Sequence, residues 1–208
     1  TTSHIMAQAI KRLFPEVKLA IGPAIDEGFY YDFDTEKPFT DEDKEKIEQE
    51  MKKIIKEDLA IERFSLPKKE ALELMKDEPY KQELINDLKD GEEISFYKQG
   101  EFTDLCAGPH LMSTGKVKSI KILNSSGAYW RGSEKNKMLQ RIYAISFPKA
   151  SLLEEHMHLL EEAKERDHRK IGKELKLFMT HKLVGSGLPM YLPKGATIRR
   201  TLERYIQD

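Results

Sequence analysis

Asp104-Leu105-Cys106-Ala107-Gly108-Pro109-His110 sets a carboxylate, a thiol and an imidazole within seven residues around a Gly-Pro turn. Such a loop can aim all three groups at one point. Several chemistries are open to it. A cysteine with a histidine four residues on is half of a zinc site, although structural zinc takes four ligands and catalytic zinc usually three. A thiolate beside an imidazole is an activated nucleophile. A fixed aspartate binds an ammonium group or caps a turn. Against these stands the plain structural reading, in which Cys106 packs as a small hydrophobe and His110 caps a turn. Spacing alone favours that last reading.

The elements around the loop decide what can join it. Residues 3–14 have the period of a helix, with Met6, Ile10, Leu13 and Phe14 on one side and Pro15 as its stop. At 100° per residue His4 falls on the opposite face with Ala7, Gln8 and Lys11, the pattern of a helix lining a cleft. Strands are expected at 17–21 and 29–33, joined through Gly22-Pro23 and Glu27-Gly28. Thr40 with Asp43 resembles a capping box ahead of a helix whose apolar stripe is Ile47, Met51, Ile54, Ile55 and Leu59. Pro67 and Pro79 suit first turns of short helices at 67–76 and 79–89, the second carrying Lys81. Residues 94–130 alternate as strands broken at Gly100, Gly108, Gly115 and Gly127, and 138–147 reads as another strand. This is an α+β pattern with a mostly antiparallel sheet and packed helices, followed by one long connector helix from Pro148 to about Leu177. Gly185-Ser186-Gly187 then opens a further unit, with a short strand at 190–192 and a helix at 197–206.

Bulk composition narrows the function classes. Lys and Arg number 35 against 36 Asp and Glu, a net charge of −1, so any contact with nucleic acid must be local. One cysteine excludes an internal disulfide framework, and no apolar run approaches the roughly 20 residues that cross a bilayer. A cytoplasmic, reducing setting without a membrane partner is expected. The charged run Lys164, Arg166, His168, Arg169, Lys170 and Lys173 is interleaved with acids and reads as a solvated helix. His156, His158 and His181 read as ordinary surface or packing residues.

Six blocks carry a resemblance to one family: Ser3-His4-Ile5-Met6-Ala7-Gln8, Ile21-Gly22-Pro23 through Gly28-Phe29-Tyr30-Tyr31-Asp32, the Asp104–His110 loop, Gly127-Ala128-Tyr129-Trp130-Arg131-Gly132, Asn136 through Tyr143, and Arg166 through Gly172. In that order they resemble threonyl-tRNA synthetases across nearly the whole chain. Alanyl-tRNA synthetases and their free-standing editing relatives share the histidine helix and the Cys-x-x-x-His loop, but there the loop reads Gly-Gly-Thr-His. The resemblance implies an editing domain over 1–147, a linker helix over 148–177 and the beginning of a class II aminoacylation domain over 178–208. It implies hydrolysis of seryl-tRNA(Thr) by water attack on the aminoacyl ester at the tRNA acceptor end.

Matching residue by residue, His4, Lys81, Asp104, Cys106 and His110 fall at editing-site positions and Tyr31 at a substrate-facing one. A second histidine of the family's helical pair would lie immediately before Thr1. Tyr129, Trp130 and Arg131 are candidates to stack on the terminal adenosine, with core aromatics as the equal alternative. No metal or cofactor is expected in this chain. Zinc at His4, Cys106 and His110 would follow the alanyl pattern, while ATP, the threonine-sensing zinc and the dimer contacts of the full enzyme belong to domains absent from this sequence. Aminoacylation by this chain alone is not expected. A non-catalytic docking module for tRNA and a structural spacer are the rival readings.

Overall fold

The structure, a computed structural model, describes residues 1–89, 91–185 and 187–207. It divides into two compact units, Thr1–Leu153 and Glu154–Asp208. Ser186, named above as a turn residue, lies outside the described residues.

In the first unit, α1 (Thr2–Leu13) is followed by β1 (Lys18–Leu19), β2 (Ala24–Ile25) and β3 (Gly28–Asp34). Next come α2 (Asp41–Glu57), β4 (Ile61–Leu66), α3 (Lys68–Leu74) and α4 (Pro79–Asp87). Two strands of a hairpin, β5 (Ile94–Gln99) and β6 (Phe102–Leu105), lead to the long strands β7 (Ser119–Tyr129) and β8 (Met138–Phe147). A five-stranded antiparallel sheet has the order β1-β3-β8-β7 with β2 paired to β3, and a three-stranded one has the order β4-β5-β6. The α+β, antiparallel expectation is met.

The core follows from the alternation of the strands. Phe29, Tyr31 and Phe33 of β3 and Ile142 and Ala144 of β8 bury one face of the large sheet against Ile5, Met6 and Ile10 of α1 and Ile47, Met51 and Ile54 of α2. The Thr40 capping box forms as expected: Asp43 N donates to Thr40 Oγ1 and Thr40 N to Asp43 Oδ2. A second cluster joins Ala71, Met75 and Ile85 of α3 and α4 to Ile94 and Phe96 on one face of the small sheet.

α1 departs from expectation. Every residue from Thr2 to Ile10 is buried, so most of the face that carries His4 and Ala7 is packed, and only its Gln8 and Lys11 end borders a cleft. The other face of the small sheet covers it: Tyr97 and Gln99 on β5, Phe102 and Asp104 on β6. Polar residues are tolerated there because they pair, with Gln99 donating to Gln8 Oε1 at 2.8 Å and Gln8 to Glu101 at 2.9 Å.

In the second unit, the long helix expected from Pro148 to Leu177 is instead α5 (Ala150–Glu165) and α6 (His168–Glu174). Asp167 interrupts it: its carboxylate accepts from Arg169 N at 2.7 Å and caps the new helix, an arrangement that competes with helix continuation. A two-stranded ribbon of β9 (Phe178–Met179) and β10 (Met190–Tyr191) and helix α7 (Pro193–Gln207) complete this unit. No helix among the described residues is long and apolar enough to cross a membrane.

Candidate active site

The small sheet places Asp104 at the centre of a buried polar cluster. Its neighbours arrive from three distant elements: Lys81 from the first turn of α4, Tyr31 from β3 and His4 from α1. Lys81 Nζ lies 2.6 Å from Asp104 Oδ1, and the Tyr31 hydroxyl donates to Oδ2 at 2.7 Å. Lys81 also donates to the Tyr31 oxygen at 3.0 Å, and Leu105 N donates to Asp104 Oδ1 at 2.8 Å. His4 Nε2 approaches Oδ2 to 3.6 Å. The Lys81 and Asp104 side chains are 3% and 1% exposed, so this is a desolvated ion pair and not a solvated surface lysine beside a turn-capping aspartate. Burial alone would push the Asp104 carboxyl up, but the Lys81 charge, His4 and the hydrogen bonds from Lys81 and Tyr31 outweigh it and hold it below the usual carboxylate range. Tyr31 moves the other way, raised well above its ordinary value by burial and then by the adjoining Asp104 charge.

Next to this cluster stand two imidazoles and the thiol. The rings of His4 and His110 have centroids 4.2 Å apart, and His110 Nε2 lies 3.2 Å from Cys106 Sγ. The loop that carries them is pinned to β5: Ser95 O accepts from Cys106 N at 3.1 Å, and Ser95 Oγ donates to Cys106 O at 2.7 Å. Thr1 Oγ1 lies 3.2 Å from His110 Nδ1. Burial lowers the pKa of His4 to about 4 and that of His110 to about 3, with the Asp104 charge opposing the shift in both. Both rings are therefore neutral at pH 7. His4 Nδ1 has no protein hydrogen-bond partner among the described residues.

Cys106 and His110 open on a cavity of about 370 Å³, walled by Gly22, Pro23, Ala24, Phe29 and Ser146 and by the first turn of α1. A larger cleft, about 560 Å³, is lined by Gln8, Lys11, Arg12, Glu78, Glu101 and Asp104 and holds neither imidazole. Its charges satisfy one another, Lys11 with Glu78 and Arg12 with Glu101, so the smaller cavity is the better candidate for chemistry. His4, Cys106 and His110 each bring a ligand atom within 4.8 Å of the other two, so a catalytic three-ligand metal site is geometrically open to them.

All five residues expected to carry chemistry, with Tyr31, thus meet in one place. The Tyr129-Trp130-Arg131 segment does not join them. Trp130 is buried against Tyr80 and Leu139 and its indole donates to Glu83 at 3.0 Å, while Arg131 pairs with Glu83 and Asp87 along α4. Tyr129 is 37% exposed. Sequence reasoning passed over Tyr97, Phe102 and Gln99, which line the contact between α1 and the hairpin. Their only sequence signal was period-two spacing on β5 and β6, which an alternating strand also shows when it faces solvent.

Residues 94–143 match the family described as the threonyl and alanyl tRNA synthetase second additional domain. That span holds the Asp104–His110 loop but neither His4 nor Lys81. Over 207 residues, 99% of the chain, it is 68% identical to a threonine–tRNA ligase of Caldanaerobacter subterraneus, covering 32% of that protein. It is 63% identical over 208 residues to one of Clostridium perfringens and 64% identical over 210 residues to one of Acetivibrio thermocellus. The chain spans about a third of the length of these curated relatives. With the second additional domain's loop at its centre and close identity from end to end, the chain belongs to the threonyl-tRNA synthetase family.

Proposed function

We propose that this chain hydrolyses the seryl ester of mischarged tRNA(Thr). The observation that carries the reading is the buried Lys81–Tyr31–Asp104 cluster set against two neutral imidazoles, of which His110 lines a small cavity. An editing step has a physical motive. Serine differs from threonine by one methyl, and a pocket discriminates one such group by only about 1–3 kcal/mol.

The reaction needs an activated water, a partner for the developing oxyanion and a proton for the leaving ribose oxygen. Neutral His110 accepts the proton of a water that attacks the ester carbonyl carbon; the tetrahedral intermediate then collapses with cleavage of the acyl C–O bond, and the proton passes to the departing ribose oxygen, which leaves as the hydroxyl. The ammonium of Lys81 supplies positive potential for the oxyanion. Asp104, its oxygens occupied by Lys81, Tyr31 and Leu105 N, acts through these neighbours and not on the substrate. Cys106 shapes the cavity and sets the His110 ring. No metal or cofactor takes part in this reading, ATP-dependent charging lies outside these residues, and the partner is the acceptor end of tRNA(Thr).

The test is deacylation of Ser-tRNA(Thr) and Thr-tRNA(Thr) by this chain, by a version with a histidine added immediately before Thr1, and by His110→Ala. Selective clearance of the seryl ester, abolished in His110→Ala, supports the assignment. Cys106→Ser keeps most of the rate if water is the nucleophile and abolishes it if the thiol is. Full activity after exhaustive chelation keeps the metal-free route; loss restored by zinc alone replaces it with a zinc-bound one. Binding of tRNA without turnover by any version makes the chain a docking module.

A further inference from the structure

Tyr97 stands beside both imidazoles and beneath the loop that carries Cys106 and His110. It lies on β5 directly across from Asp104 in the hairpin register, on the face that covers α1. Its ring centroid is 4.2 Å from that of His110 and 6.5 Å from that of His4, edge-on to the latter. Phe102, one residue pair along the same face, completes the contact with His4 at 6.2 Å. Gly108 passes so close above the Tyr97 hydroxyl that a Cβ there would lie 2.0 Å from it, and its φ of +78° also requires glycine. Tyr97 is 7% exposed. One rigid ring therefore supports the loop that carries Cys106 and His110, the His110 ring itself and the helical imidazole.

We infer that Tyr97 is a positioning residue, whose ring fixes the relative orientation of His4 and His110 and the height of the Cys106–His110 loop. This rests on the hydrolytic reading for its consequence in turnover, but not for the orientation itself. Imidazoles stack weakly in water, and a loop turning through glycine and proline has no side-chain packing of its own at Gly108. Without the Tyr97 ring, His110 keeps its contacts to Cys106, Thr1 and the His4 ring but loses the support on its other side, and more than one rotamer becomes open to it. A displacement of about 1 Å at a reacting group costs on the order of a hundredfold in rate.

The experiment compares Tyr97→Phe, which keeps the ring, with Tyr97→Leu, which removes it; Tyr97→Met, flexible and close in volume, replaces the latter if it fails to fold. Seryl-ester turnover and the NMR signals of the His4 and His110 ring protons are measured on each. Tyr97→Phe should stay near the parent in both. Tyr97→Leu should lower kcat by about tenfold to a hundredfold with KM nearly unchanged, and its His110 ring signals should lose their ring-current displacement and broaden. Parent-like kcat and ring signals in Tyr97→Leu overturn the inference. Equal damage in Tyr97→Phe overturns it too, by moving the effect to the hydroxyl. If the parent chain turns over no ester, the hydrolytic reading fails by itself and the ring signals still decide the positioning role.

Discussion

Replacing Lys81 with methionine leaves the Asp104 carboxylate buried at 1% exposure with only Tyr31, Leu105 N and a neutral imidazole around it. Removing one partner of a buried ion pair costs about 3–5 kcal/mol, because the other charge is stranded. Asp104→Asn should cost a similar amount by stranding the Lys81 ammonium, even though the amide preserves volume and an acceptor for Tyr31. The double variant Lys81→Met/Asp104→Asn strands neither charge, so most of the loss should return, giving a coupling energy of at least about 2 kcal/mol. Trp130 is the only tryptophan, lies 5% exposed in the first unit and packs on Tyr80 of α4. Its fluorescence therefore follows the unfolding of this unit through a urea titration. Each single variant should lower the melting temperature of the unit by about 10 °C. Single losses under about 1 kcal/mol that simply add in the double variant would refute the reasoning, since they are the mark of a solvated pair.

Acid should loosen the same unit as the pH falls below about 6.5. The folded His4 pKa of about 4 lies below its ordinary 6.5, so the unfolded chain binds the extra proton between these values. The contribution is whole above about pH 6.5 and drains away as pH falls through 4, by on the order of 3 kcal/mol. Urea midpoints that do not change between pH 7 and 4.5 would contradict it, and His4→Asn should reduce the slope without abolishing it, because His110, lowered to about 3, contributes in the same direction. Gly22→Ala would drive a Cβ to 2.1 Å from the Tyr31 ring, so a loss of about 1–3 kcal/mol is expected from overpacking, read by the same fluorescence. Thr40→Ala removes the hydrogen bond that Asp43 N donates to the Thr40 hydroxyl, while the backbone N–H of residue 40 still reaches Asp43, and should cost about 1 kcal/mol in thermal unfolding.

Much of this architecture was legible in the residues because local signals carried it. The Thr40 box, Pro79 in the first turn of α4 and the alternation of 138–147 each named an element from within one short window. The loop from Asp104 to His110 announced its chemistry by residue type. What stayed hidden was burial imposed from afar. Lys81 has no local mark that separates it from a surface lysine; only the arrival of Asp104 from another part of the chain desolvates it. Gln8 shares its helical face with Lys11 and reads as solvent-facing until β5 and β6 close over it. The break at Asp167 was missed for the opposite reason: a broken apolar stripe of Leu153, Met157, Leu160, Ile171 and Leu175 amid dense charge outweighed a single residue whose side chain caps α6.

The burial of α1 on all sides also sets an order of events on the ribosome. The helix is made before its partners, and Thr2 finds its hydroxyl partner, Ser146, only 144 residues later in the chain. At about 5–20 residues per second, Ile5, Met6 and Ile10 wait on the order of ten seconds before β8 exists to cover them. During that interval the apolar side chains of α1 stay exposed on the nascent chain. The chemistry of His4 is then the last thing the unit acquires, since the imidazole reaches Asp104 and His110 only when synthesis of both sheets is complete.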